Sequence, residues 1–163
     1  MTTGNGATPE QHERFMEQAL RQAEFAYDAG ESPIGAVVVH KNAIVGRGYN
    51  RTEALKDPTA HAEIIAITSA AESLGDWRLV DCDLYCTLEP CIMCAGAAVL
   101  ARVRHIYYGA PEPKFGGCGS VFTIPSDPRL NHRIPVTGGI LQERCAGIIK
   151  EFFQALREQR RMN

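Results

Sequence analysis

Met16, Leu20, Ala23 and Tyr27 recur at the spacing of one helix face, and Gly30 follows them as a stop. Thr8-Pro9-Glu10-Gln11 supplies the start: a Thr N-cap, a Pro at the first helical position and a Gln that completes a capping box. A β-branched run, Ile34–Val39, then predicts a strand, and Lys41-Asn42 turns it into a second, Ala43–Tyr49. Residues 50–58 read as loop. From about Thr59 to Leu74 the spacing returns to helical, with Ile64, Ile67, Ala71 and Leu74 on one face and Gly75 at the end. Leu84–Leu88 reads as a strand, Cys91–Ala101 as a small, closely packing helix, and His105–Tyr108 as a strand. Residues 109–133 are rich in Pro and Gly and predict a long loop, of the kind that is functional or mobile in a compact domain. After an extended piece near Ile134–Val136, a last helix from about Leu141 shows Cys145, Ile149, Phe152 and Leu156 on its core face.

Helices separate the later strands, so those are expected to run parallel, while the first two form an antiparallel hairpin. The expected architecture is α/β: a three-layer α/β/α sandwich around a mixed sheet of about five strands. Residues 1–8 are expected to fray, and residues 9–163 to form one domain.

Composition changes this picture little. The 163 residues are 45% hydrophobic and 22% charged, enough for a core without disulfide staples. A formal charge of −2 excludes a polybasic nucleic-acid binder. No run approaches a membrane span, and Met1–Ala7 lacks the features of a signal peptide, so a cytoplasmic location is expected. In a reducing compartment the six cysteines point to metal or redox chemistry rather than a disulfide framework.

The candidate chemistry sits at two predicted helix starts, His61-Ala62-Glu63 and Pro90-Cys91-Ile92-Met93-Cys94. Cysteines at i and i+3 of a helical turn reach a single ion, and the helix N-terminus favours their thiolates. One imidazole makes a third ligand. Three ligands leave a tetrahedral position for water, the arrangement of a catalytic zinc, and a carboxylate outside the ligand set serves as general base and acid.

His-x-Glu followed by Pro-Cys-x-x-Cys resembles the zinc deaminase signature. The stretches Asp57–Ile64 and Thr87–Ala97 resemble those of bacterial tRNA-specific adenosine deaminases. So do Gly48-Tyr49-Asn50-Arg51, Gly109-Ala110, Gly119-Ser120, Asn131-His132-Arg133 and Phe152-Phe153, in the same order over roughly residues 12–157. The resemblance implies a cytidine deaminase-like fold and one zinc held by His61, Cys91 and Cys94, with a water as fourth ligand. It implies that Glu63 shuttles protons while water adds at adenine C6, ammonia leaves and inosine remains. Asn50 and the Ala62 N–H would place the target base. The implied substrate is the wobble adenosine of a tRNA anticodon stem-loop, and the implied assembly a homodimer. Where the family has an Asp after Gly109-Ala110, this chain has Pro111-Glu112-Pro113-Lys114; the resemblance implies that this loop, with Glu112 and Lys114, lies against the anticodon backbone. Asn131, His132 and Phe153 are further candidate RNA contacts.

Rival readings attach to the same residues. Cys-x-x-Cys opening a helix also suits a thioredoxin-like redox motif, which leaves His61-Ala62-Glu63 unexplained. A structural zinc would need a fourth ligand such as Cys82 or Cys86, which read better as buried, inert thiols. The same zinc chemistry would serve a deaminase of a free base or nucleoside, and a chain keeping the fold without activity would bind RNA as a scaffold. Residues 1–80 hold 7 Lys+Arg against 11 Asp+Glu, while residues 81–163 hold 10 against 8. A phosphate backbone is therefore expected to meet the C-terminal half, near Lys150, Arg157, Arg160 and Arg161.

Overall fold

The computed structural model describes residues 6–163. Residues 1–5 of the segment expected to fray lie outside the described residues; of the remainder, Ala7 is buried and Thr8 caps the first helix. That helix, α1 (Pro9–Asp28), is closed by the expected box: the Gln11 N–H donates to the Thr8 hydroxyl at 3.2 Å and the Thr8 N–H to the Gln11 side chain at 2.9 Å. Strands β1 (Gly35–His40) and β2 (Ala43–Tyr49) form the antiparallel hairpin. After α2 (Thr52–Leu55) and α3 (Ala62–Leu74) come β3 (Cys82–Leu88), α4 (Ile92–Leu100) and β4 (His105–Ala110). A 3-10 turn at Ile124–Ser126, a two-residue β5 (Val136–Thr137) and α5 (Gln142–Met162) complete the order.

The sheet order is β2-β1-β3-β4-β5, antiparallel up to β3 and parallel from β3 to β5. Alternate strand residues face two separate cores. Ala36, Val38, Leu84, Cys86 and Ile106 pack with α3 and α4; Val37, Val39, Tyr85 and Tyr107 pack with α1 and with Cys145 of α5. The result is the expected three-layer sandwich around a mixed sheet. At about 25 cal/mol per Å² of apolar area, such side chains contribute roughly 1.5–3 kcal/mol each when fully buried.

Three local expectations are corrected. The 50–58 loop contains the single turn α2, because the buried Glu31 carboxylate accepts from the N–H groups of Glu53 (3.2 Å) and Ala54 (2.7 Å) at its start. Helix α3 begins at Ala62 rather than Thr59: the Asp57 side chain accepts from both the N–H and the hydroxyl of Thr59, holding a turn that leaves His61 as N-cap. Its fully buried stripe is Ala62, Ala66 and Ala70, with Ile64, Ile67, Ala71 and Leu74 only half-buried. The cause lies on β2, where a Cβ at Gly48 would strike the Ala62 carbonyl. Only small residues fit such an approach of helix to sheet, so the larger side chains turn to the flanks.

Candidate metal centre and nucleotide pocket

The two motif segments open helices that lie on the same face of the sheet. Parallel pairing sends β3 and β4 out at the same edge, and Pro90 directs the chain from β3 into α4 with Cys91 as its N-cap. The turn before α3 meets this edge from the other side. Arg51 donates its N–H to Ala60 at 3.0 Å, and Asn50 donates its own to Ile34 at 3.1 Å. The buried Asn50 thus sits between the metal-ligand turn and Ile34.

His61, Cys91 and Cys94 converge, their donor atoms all within 4.8 Å of one another. His61 Nδ1 lies 3.6 Å from each sulfur. A tetrahedral zinc with ordinary Zn–S and Zn–N bonds requires an S···N edge of about 3.6 Å, so the donor set fits that ion with one position left open. No other cluster of three such donors is found among the described residues. Cys82 and Cys86, the alternative ligands, are buried in β3, and burial raises both thiols, Cys82 to about 11. Among the described residues neither joins His61, Cys91 and Cys94 as the fourth ligand a structural zinc would need.

The cluster's electrostatics favour a cation. A hydrogen bond from Cys94, reinforced by His61, holds the Cys91 thiol down at about 4, as a thiolate. That thiolate and burial push Cys94 upward, and the bond to Cys91 raises His61. Glu63 is 4% exposed, and burial raises its carboxyl while a hydrogen bond with Cys94 opposes the rise. It stands beside the ligands without belonging to them.

A pocket of about 320 Å³ opens over the cluster. His61, Glu63 and Cys91 meet the apolar Ile34, Leu88, Ile92 and Phe115 there, with Glu89 and Glu112 on the loop side. Ile92 and Phe115 are exposed, at 46% and 64%. Beyond Phe115, Lys114 joins Phe153, Leu156, Arg157 and Arg160 of α5 around a second groove.

A protein-family model for the cytidine and deoxycytidylate deaminase zinc-binding region matches residues 9–110. The chain belongs to this family. Within the family it is 44% identical over 153 residues, 94% of this chain and 90% of the relative, to a tRNA-specific adenosine deaminase of Streptococcus pyogenes. It is 42% identical over 151 residues, 93% and 94% of the two chains, to one of Bacillus subtilis. A solved structure from a study of A-to-I editing by tRNA:A34 deaminases at the wobble position superposes with a TM-score of 0.80 at 47% identity, covering 83% of this chain and 98% of the other.

The structure thus gathers His61, Glu63, Cys91 and Glu112 into the pocket, with Cys94 in the metal cluster and Asn50 and the first turn of α3 at Ala62 beside it. Lys114 and Phe153 line the adjoining groove. Asn131 and His132 are elsewhere. His132 Nε2 is 2.8 Å from the carbonyl of Val103, ahead of β4 and at the opposite edge of the sheet, where it ties the incoming β5 segment. Sequence reasoning passed over Ile34, Leu88, Ile92 and Phe115 as walls, and over Glu89, whose signal was a carboxylate directly following an apolar strand.

Proposed function

We propose that this chain hydrolyses adenosine to inosine at the wobble position of a tRNA anticodon, releasing ammonia. The observation that carries the reading is the set of three zinc donors with Glu63 buried beside them, in a chain 44% identical to a tRNA-specific adenosine deaminase over 94% of its length. Zinc bound by His61, Cys91 and Cys94 would supply Lewis acidity and lower the pKa of water in its open position. Glu63 accepts one proton from the attacking water and passes it to adenine N1; it then takes the second, from the hydroxyl now on C6, and delivers it to the amine, which departs as ammonia. Burial of its carboxyl raises its affinity for that proton, as a general acid needs. Asn50 and the N–H of Ala62, at the first helical position where no intrahelical acceptor exists, orient the base. Ile34, Leu88 and Ile92 flank the purine and exclude water from it.

The exposed rim supports RNA over a free base. Phe115 and Phe153 present rings for stacking beside Lys114, Arg157 and Arg160, the pairing of aromatic and cationic groups by which unpaired RNA is held. Residues 9–163 act together as one deaminase domain, since both cores share the one sheet. No helix among the described residues is long and apolar enough to cross a membrane. A tRNA substrate supports a cytoplasmic location. The homodimer implied by resemblance would be read by sedimentation equilibrium as twice the chain mass.

The test is incubation of zinc-loaded protein with unmodified tRNA carrying adenosine at the wobble position, followed by nucleoside mass analysis. Inosine from the wild type and none from Glu63→Ala is the expected result. No inosine from the wild type overturns the reading, and free adenine, guanine and cytosine are then the substrates to assay.

A further inference from the structure

Glu89 stands at the exit of β3, two residues before the ligand Cys91, and is 2% exposed. A carboxylate at that depth has to find donors. It finds them in a single segment. Oε1 accepts from the Glu112 N–H at 3.1 Å and from the Ser120 hydroxyl; Oε2 accepts from the N–H groups of Cys118 and Ser120, both at 3.1 Å. Two backbone bonds extend the seam, Glu89 N–H to Ala110 and Gly117 N–H to Pro90, each 2.8 Å. The segment so held brings Glu112 and Phe115 into the pocket wall. Gly116 lies at its centre, where a Cβ would strike the Glu89 carboxylate.

We infer that Glu89 is a positioning residue that folds residues 111–120 into the pocket wall before substrate arrives, and thereby sets the affinity for the RNA nucleotide without touching the reacting atoms. The physical reason is preorganisation. A loop that must order on binding lowers the apparent affinity by the fraction of time it is ordered. The proton-transfer group Glu63 and the ligand His61 belong to the start of α3, on a different element, so loosening this wall acts on binding ahead of proton transfer; the segment also pairs with the ligand Cys91 through Gly116, which is why zinc content is read alongside. The inference rests on the reading of the chain as a wobble-adenosine deaminase.

Glu89→Gln keeps the shape of the side chain but turns an NH2 toward N–H donors. On zinc-loaded protein with an anticodon stem-loop, KM is expected to rise about tenfold and kcat to change less than about threefold, with the zinc content unchanged. Amide hydrogen exchange over residues 112–120 should accelerate in the same sample. Gly116→Ala should reproduce both effects, and the double variant should be no worse than either single one, as two changes to one contact require. Ser120→Ala removes one exposed hydroxyl, leaves the fold intact, and should move KM in the same direction by less. A fall in kcat at constant KM, loss of zinc in step with activity, or unchanged exchange over 112–120 would each overturn the assignment. If the wild type makes no inosine the functional reading fails, and the exchange comparison still decides whether Glu89 anchors the loop.

Discussion

At the scale of single residues, the metal centre depends on one imidazole and two thiols in fixed relation. Replacing Cys91 by Ala leaves a buried Cys94 and a half-buried His61 without their partner. Zinc content measured by atomic absorption should fall well below one per chain, and inosine formation should fall with it. Glu63→Gln gives the opposite pattern: zinc stays at one per chain while activity drops by at least about a hundredfold, the usual contribution of a general acid–base. Together the two variants separate holding the ion from moving the proton. The rim residues act differently again. Changing Arg157 or Arg160 to Ala should weaken RNA binding uniformly across sequences and reduce the slope of log affinity against log salt by about one. Filter binding at several salt concentrations reads that slope directly.

At the scale of elements, the site depends on how closely α3 approaches the sheet. Gly48→Ala places a methyl against the Ala62 carbonyl, one residue from His61 and from Glu63. Overpacking of this kind costs roughly 1–3 kcal/mol. A lower melting temperature with weakened zinc affinity is expected; a variant that loses stability but keeps its zinc affinity would place the strain elsewhere. This packing also shows what the sequence makes legible. Strand and helix order, the hairpin and the capping box at Thr8 could be read because each is a pattern local in the chain, and the metal donors because His61-Ala62-Glu63 and Pro90–Cys94 together resemble a known signature. The buried stripe of α3 could not be read, because the isoleucines give the stronger period, while the choice of alanines is made by glycines on β2, far along the chain. The same holds for Glu89, whose partners are 23 to 31 residues away. The position of His132 is likewise set by the fold, which brings its ring to the Val103 carbonyl, 29 residues back along the chain.

At the scale of the whole molecule, the face of the sheet away from the metal carries a different chemistry. His105 stacks on Tyr107 at 4.0 Å, Tyr107 on Tyr85 at 4.7 Å, and His12 lies 4.4 Å from Tyr107 with Nδ1 2.6 Å from the Tyr85 hydroxyl. Burial lowers the pKa of both histidines from 6.5, against the opposing pull of Asp83, which is itself paired with Arg104 at 2.9 Å. The unfolded chain therefore binds more protons than the folded one just below that value, and stability falls as pH drops through it. The contribution of these two histidines to the melting temperature should be nearly constant above pH 7 and decline below about 6.5, read as the difference between wild type and a His12 variant across that range. His12→Phe, which keeps a ring between α1 and the sheet, should flatten that decline even though losing the bond to the Tyr85 hydroxyl lowers the melting temperature throughout. An unchanged slope would show that these rings do not govern acid sensitivity.

Three of the four donors on the Glu89 carboxylate are main-chain N–H groups, which every residue except proline supplies. The wall is therefore tethered through atoms that mutation of its side chains does not remove, while Lys114 and Phe115 project from it untied. Such a segment can change its amino acids, and with them the RNA it prefers, while the hydrolytic apparatus stays as it is.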